Sequence, residues 1–394
     1  MNIKKLEYKQ LLSEAEIDII RKDFPFLEKM IHMANCSQGA LSKHTRAAVN
    51  SYLDSWENDG MDWDSWLVAV NNAKAQFAAL IGAEADEIAI GCSVSDLVSS
   101  IATALDFSGD KKKVVIGDGD FPTVNYNWLA QGKNGAVIDF VPVKENYSID
   151  IAEYETRIDE NTLITSFAHV YYLNGYKQDI KTIVDLAHSK GSLAMVDAYQ
   201  SLGSCKINVK ELGVDILVCG AMKYLLGPAG IAFMYVKKDI LNSFKPQATG
   251  WFGQKNPFLF QSRYIDWAAD ARKFDTGTPP VIAAYTAAAG MEILNKLSAE
   301  ATEDRINMLS GFCLEKCLEY ELDIISPLDV AKKGSTTALK VPPAMNSHDV
   351  ETQMRKKGVL VSARAEAIRI APHFYSKKDE IEEAIKLLSE ILKV

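Results

Sequence analysis

Between residues 65 and 236 the chain alternates two kinds of apolar pattern. Short continuous runs stand at 86–91 (DEIAIG), 113–118 (KVVIGD), 136–141 (AVIDFV), 162–168 (TLITSFA), 192–197 (SLAMVD), 214–219 (VDILVC) and 230–236 (GIAFMYV). Segments of helical period separate most of them, such as 66–81, 95–106 and 179–190. Runs this uniformly apolar predict strands buried on both faces, and their alternation with helices predicts a mostly parallel, seven-stranded α/β sheet. The link from 219 to 230 is too short for a crossover helix, so one strand near the end should run antiparallel.

The texture changes after about 281. A long helix at 281–297 leads into another at 301–320. Short strands near 335–341, 359–362 and 367–371 follow, then a closing helix from 378. This predicts a smaller α+β body. Residues 1–30 read as an amphipathic helix followed by Asp23-Phe24-Pro25. The expected division is an N-terminal segment at 1–35 packing on the small domain, a large domain at 36–275, and a small C-terminal domain at 276–394. Gly277, Pro279 and Pro280 punctuate the boundary. A chain of 394 residues is long enough to split its core in this way.

Composition removes several classes of function. Hydrophobic residues are 48% and charged residues 24%, an ordinary globular mixture rather than a disordered one. The net charge of −9 lacks the basic footprint of a nucleic-acid binder. The six cysteines form no CxxC pair and no zinc spacing with histidine, so no metal is expected. Their scatter suits a reducing compartment. The N-terminus is charged, with no apolar core of signal-peptide length, and no run of about 18 apolar residues occurs. The expectation is a cytoplasmic protein off the membrane.

In open α/β sheets ligands bind beyond the carboxyl ends of the strands. No GxGxxG follows a strand and no GxxxxGK[ST] occurs, which argues against nicotinamide and nucleoside-triphosphate sites. Other features stand at strand ends. Ser93-Val94-Ser95-Asp96 opens a helix, either as a plain cap or as an amide cradle for phosphate. Phe121 is either a core residue or a flat surface over a ligand ring. Asp118 and Asp120 make half a calcium loop, but the rest is absent. Asp197 closes a buried run, where a carboxylate needs a cation or donor. Lys223 follows another buried run and precedes Gly227-Pro228-Ala229-Gly230. A desolvated lysine there would be a nucleophile toward an aldehyde; otherwise it reaches for water. Together, an anion cradle, a flat aromatic, a buried acid and a buried amine match the needs of pyridoxal phosphate.

With those residues the sequence resembles the class V aminotransferases, which are fold type I pyridoxal-phosphate enzymes with cysteine desulfurase and kynureninase relatives. SLAMVDAYQSLG (192–203) and VDILVCGAMKYLLGPAGIAFMYV (214–236) carry the likeness best. GWFGQ (250–254), FDTGTP (274–279) and IRIAPHFYSKKDEI (368–381) add to it. The resemblance implies a set of roles. Lys223 bonds the cofactor covalently and later moves the α-proton. Asp197 pairs with the ring nitrogen and Gln200 lies near the ring hydroxyl. Phe121 stacks on the ring. Val94 and Ser95 contact the phosphate. Thr278, with Trp251, reaches a partner subunit's site in a homodimer. Arg369 grips the substrate carboxylate, with Tyr172 and Asn35 on the substrate side.

Three departures stand out. Gly220 and Met222 occupy positions where relatives place a phosphate-binding Ser and His. No cysteine occurs between 318 and 394, where desulfurases carry their catalytic thiol. Phe121-Pro122-Thr123 and GWFG resemble kynureninases, but Gln200 replaces their histidine. The expected function is amino-group transfer from an amino acid. The alternatives are a lyase, desulfurase-like or kynureninase-like, an epimerase, and a non-catalytic member of the fold.

Overall fold

The computed structural model describes residues 3–4, 6–144 and 147–393. In chain order the strands are β1 (Ile31–His32), β2 (Ile88–Gly91), β3 (Lys113–Gly117), β4 (Val137–Val141), β5 (Thr162–Ala168), β6 (Leu193–Asp197), β7 (Ile216–Gly220), β8 (Ala232–Val236), β9 (Thr337–Lys340), β10 (Val359–Leu360), β11 (Ser362–Arg364) and β12 (Ala367–Ile370). The helices are α1 (Glu14–Arg21), α2 (Lys43–Asp59), α3 (Trp63–Ile81), α4 (Val94–Ala102), α5 (Pro122–Leu129), α6 (Ile151–Arg157), α7 (Ile180–Ser189), α8 (Val209–Leu212), α9 (Val281–Lys296), α10 (Ala299–Glu319), α11 (Ser347–Lys356) and α12 (Lys378–Leu392).

All seven apolar runs enter one sheet, in the order β2-β8-β7-β6-β5-β3-β4. Neighbours from β7 to β4 are parallel, and β8 is antiparallel to both β7 and β2. Successive side chains of one strand go to opposite faces. Ile90, Val115, Val196 and Leu217 join the core under α3, α7 and α9, whereas Ala89, Ile116, Met195 and Val218 join the core under α4 and α5. Burial on both faces is why these strands read as unbroken apolar runs.

A second, three-stranded sheet, β11-β12-β9, is antiparallel throughout. It packs with α10, α11 and α12 around Leu309, Leu339, Ile368 and Ile385. The core shared by α9 lies elsewhere. Ala284, Ala287, Ala288 and Met291 pack with α3 residues such as Ala73 and Phe77, in the large sheet's cluster. Although α9 follows the boundary expected at 276, the second core begins only with α10.

Among the described residues, the helix expected over residues 1–30 is corrected to α1, eight residues long, with a 3-10 turn at Pro25–Glu28; Met1, Asn2 and Lys5 lie outside the described residues. A Ser13–Glu16 capping box starts α1, and the chain turns before Pro25. Upstream, the Lys9 and Gln10 amides both donate to the Asp304 carboxylate, at 2.6 and 2.9 Å, so that stretch is held out of a helix. Downstream, β1 pairs in parallel with β10, and Ala34 bridges Ala371, so the N-terminal segment is stitched to the smaller sheet's body. Among the described residues, no helix is long and apolar enough to cross a membrane.

Candidate active site

The parallel strands deliver their carboxyl ends to one rim. Asp197 ends β6, in register with Ala168 of β5 and Val218 of β7. It is buried, and its carboxylate accepts the Tyr199 amide at 2.9 Å. Burial raises its pKa, opposed by that amide and by the Lys223 charge. Lys223 follows β7 in a tight loop. The Gly39 amide donates to the Met222 carbonyl at 2.9 Å, and a Cβ at 39 would stand 2.5 Å from the Lys223 carbonyl. Only glycine lets the N-terminal segment lie this close to the lysine loop. Burial lowers the Lys223 amine to about 8, although Asp197 acts the other way. Its Nζ lies 4.2 Å from the centroid of the Tyr199 ring and 5.9 Å from that of Phe121.

The second body contributes Arg369, on β12. Its guanidinium is buried and lies on a prepared bed. Nη1 donates to the Tyr172 carbonyl at 2.6 Å, and Nη2 donates to Ser362 Oγ at 2.6 Å and Ser37 Oγ at 3.2 Å. Nε has no partner. Tyr172 meets Phe121 edge to face at 5.2 Å between centroids. Gln200 donates from Nε2 to the Cys36 carbonyl at 3.1 Å, and its Oε1 has no partner.

These groups share a cavity of about 380 Å³. Val94, Ser95, Phe121, Tyr172, Asp197, Gln200, Lys223 and Arg369 all line it. At its α4 end, Ser93 caps the helix by accepting the Asp96 amide at 3.1 Å. The plain cap is present, and it leaves the helix's other first amides without an internal partner. Larger hollows of about 570 and 700 Å³ lie around Tyr176, away from this buried acid and amine.

Three of the expected site residues are not brought in. Asn35 is buried outside the cavity, donating to the Ala371 carbonyl at 2.8 Å and accepting from the Tyr375 hydroxyl. It braces the segment after β12 instead of facing a ligand. Trp251 packs in a surface aromatic group with Trp63, Phe258 and Phe260. Thr278 is exposed. Neither lines the cavity of a single chain.

Other residues at or beside the cavity carry no signal of their own in the sequence. Tyr199 lies under the lysine, and Ser37 and Ser362 bed the arginine. Asp120, set aside as half a calcium loop, is a buried brace. It accepts the Ala168 amide at 3.0 Å and the Gly117 amide at 3.3 Å, tying β5 to β3. Burial chiefly pushes its carboxyl up to about 8. Among the described residues, no acid, histidine and cysteine cluster could hold a metal. Cys36 and Cys92 line the cavity, but burial and the Asp96 charge raise the Cys92 thiol, so it is held back from the reactive thiolate.

The sequence pattern described as Aminotransferase class-V matches residues 62–379. The chain belongs to the class-V aminotransferase family. This class-V chain is 38% identical over 365 residues to a Bacillus subtilis (strain 168) protein named uncharacterized aminotransferase YcbU, covering 93% of this chain and 95% of that protein. It is 25% identical to a kynureninase of Pseudomonas fluorescens, covering 95% and 92%. Among solved structures it resembles an apo cysteine desulfurase from Thermococcus onnurineus NA1, with a TM-score of 0.86 and 20% identity over 98% of this chain and 100% of that one.

Proposed function

We propose that this class-V chain binds pyridoxal phosphate at Lys223 and transfers the amino group of an amino acid. The observation that carries the reading is one cavity holding three complementary charges from two bodies: the lowered amine of Lys223, the buried carboxyl of Asp197 and the buried guanidinium of Arg369. The residues fit the cofactor. The α4 amides suit its phosphate, Gln200 Oε1 lacks a partner near the place for a ring hydroxyl, and Phe121 offers a flat face.

The bound cofactor supplies an aldehyde that condenses with amines and a ring that draws electrons from the α-carbon. Lys223, neutral at mildly alkaline pH, would hold the cofactor through that aldehyde. Its Nζ, facing the cavity, would be the base that takes a proton from the substrate's α-carbon. Asp197 holds a proton on the ring nitrogen, and a cationic partner there favours its ionised form. Arg369 grips the substrate carboxylate in its planar fork, which orients the α-carbon toward Lys223. Trp251 and Thr278 serve a partner's site across a homodimer.

Single amino acids mixed with the loaded protein test this. Conversion of bound pyridoxal to pyridoxamine, with release of a 2-oxo acid, is the expected result. The lyase reading is favoured by Phe121-Pro122-Thr123 and the kynureninase likeness. It would instead release alanine, an aromatic amine or sulfide with the cofactor unchanged. If borohydride fixes no cofactor on Lys223, both readings fail. Asp197→Asn should keep the fold and slow turnover on the order of 10²-fold or more. Near-normal turnover would remove Asp197 from the mechanism.

A further inference from the structure

The class-V resemblance places a phosphate-binding serine at 220, and this chain has glycine there. The surroundings account for the exchange. A Cβ at 220 would stand under 3.0 Å from both Cζ and the hydroxyl oxygen of Tyr199. The phenol of β6's extension therefore fills the space that a side chain at the end of β7 would use. Its oxygen lies within a few ångströms of where a serine hydroxyl would be.

Tyr199 also lines the same cavity as Val94 and Ser95, and its ring packs in the cluster that contains Val94. No hydrogen bond to its hydroxyl forms among the described residues. Burial, together with Cys219 and Asp197, raises the phenol's pKa, so it stays a protonated donor.

We propose that the Tyr199 hydroxyl replaces the one missing at position 220 and donates a hydrogen bond to the cofactor's phosphate. The inference rests on the proposed cofactor and concerns one contact to it. It assigns a phosphate ligand from the strand beside the customary one. It also makes Tyr199 and Gly220 a matched pair: the large residue needs the small one.

The test separates the phosphate from the ring. Dissociation constants of apo protein for pyridoxal phosphate and for pyridoxal, which lacks the phosphate, are read from the visible band of the lysine adduct. Tyr199→Phe should weaken pyridoxal phosphate by about 10- to 150-fold, the range for one hydrogen bond to a charged group. Its affinity for pyridoxal should be unchanged. Gly220→Ser alone should lose both ligands through the clash. The double variant Tyr199→Ala with Gly220→Ser should recover phosphate-dependent binding. Equal pyridoxal phosphate affinity in Tyr199→Phe overturns the proposal. So does an equal loss for both ligands, which would mark a role at the ring or in the fold. A wild-type protein that forms no adduct with pyridoxal phosphate overturns the cofactor reading itself.

Discussion

Burial lowers the Lys223 amine to about 8, so near that pH half the molecules carry it neutral and able to attack a carbonyl. The rate at which apo protein captures pyridoxal phosphate should rise with pH and level off above about 8. An ordinary lysine would keep rising toward its usual 10.5. Asp197 raises the amine, so Asp197→Asn should move the midpoint lower. A midpoint near 10.5 in stopped-flow capture would mean that the amine is solvated. Residues of this kind were legible in the sequence because each closes a buried apolar run, where a charge demands a reason. Arg369 was found only through the family resemblance, since a lone arginine on a short strand looks like any surface charge. Tyr199 escaped because its meaning depends on an absence at Gly220, on the neighbouring strand. Ser37 and Ser362 escaped because small polar residues so far apart share no periodicity.

At the level of elements, the seven strands were readable because parallel strands covered on both faces have little choice but apolar side chains. The helix α2 was not anticipated, since it buries only Thr45 and shows little apolar stripe. The long N-terminal helix failed for the opposite reason: apolar residues were present, but Asp304 captures the backbone that the first turns would need. One contact between elements supports a quantitative expectation. Lys74 of α3 meets Asp275 at 2.6 Å, both buried, and Asp275 also accepts the Ile90 amide of β2 at 2.8 Å. Lys74→Met would leave a buried carboxylate without its cation, at a cost of about 3–5 kcal/mol. Urea unfolding should show that loss, with part regained in Lys74→Met combined with Asp275→Asn. A loss below about 1 kcal/mol would mean that water reaches the carboxylate. Because Asp275 precedes the loop bearing Thr278, the same variant should also loosen that loop.

At the scale of the whole molecule, the segment after Trp251 leaves large apolar groups in water. Leu259 is 70% exposed and Phe260 72%, with Phe258, Tyr264 and Ile265 nearby in sequence. Large apolar side chains exposed along one segment suit an interaction site, and a second copy fits the proposed homodimer. Sedimentation should give a dimer for the wild type and a monomer for Phe260→Asp. The variant should also lose cofactor faster on dialysis, as Thr278 would no longer reach its partner. A monomeric wild type would remove the cross-subunit role of Thr278 and Trp251. The division into bodies was only partly legible, because Gly277, Pro279 and Pro280 mark a break in the chain, whereas α9 beyond them packs back on α3.

The bed under Arg369 also sets an order in time. Ser37 and Arg369 touch across 332 residues of chain. At ribosomal rates of about 5–20 residues per second, roughly 17 to 66 s separate their synthesis. Through that interval the nascent chain completes the strands that hold Asp197 and Lys223 while the arginine is still unmade. The cofactor side of the cavity is therefore synthesised first, and on the function proposed above a nascent chain should capture pyridoxal phosphate before Arg369 exists to grip an amino acid.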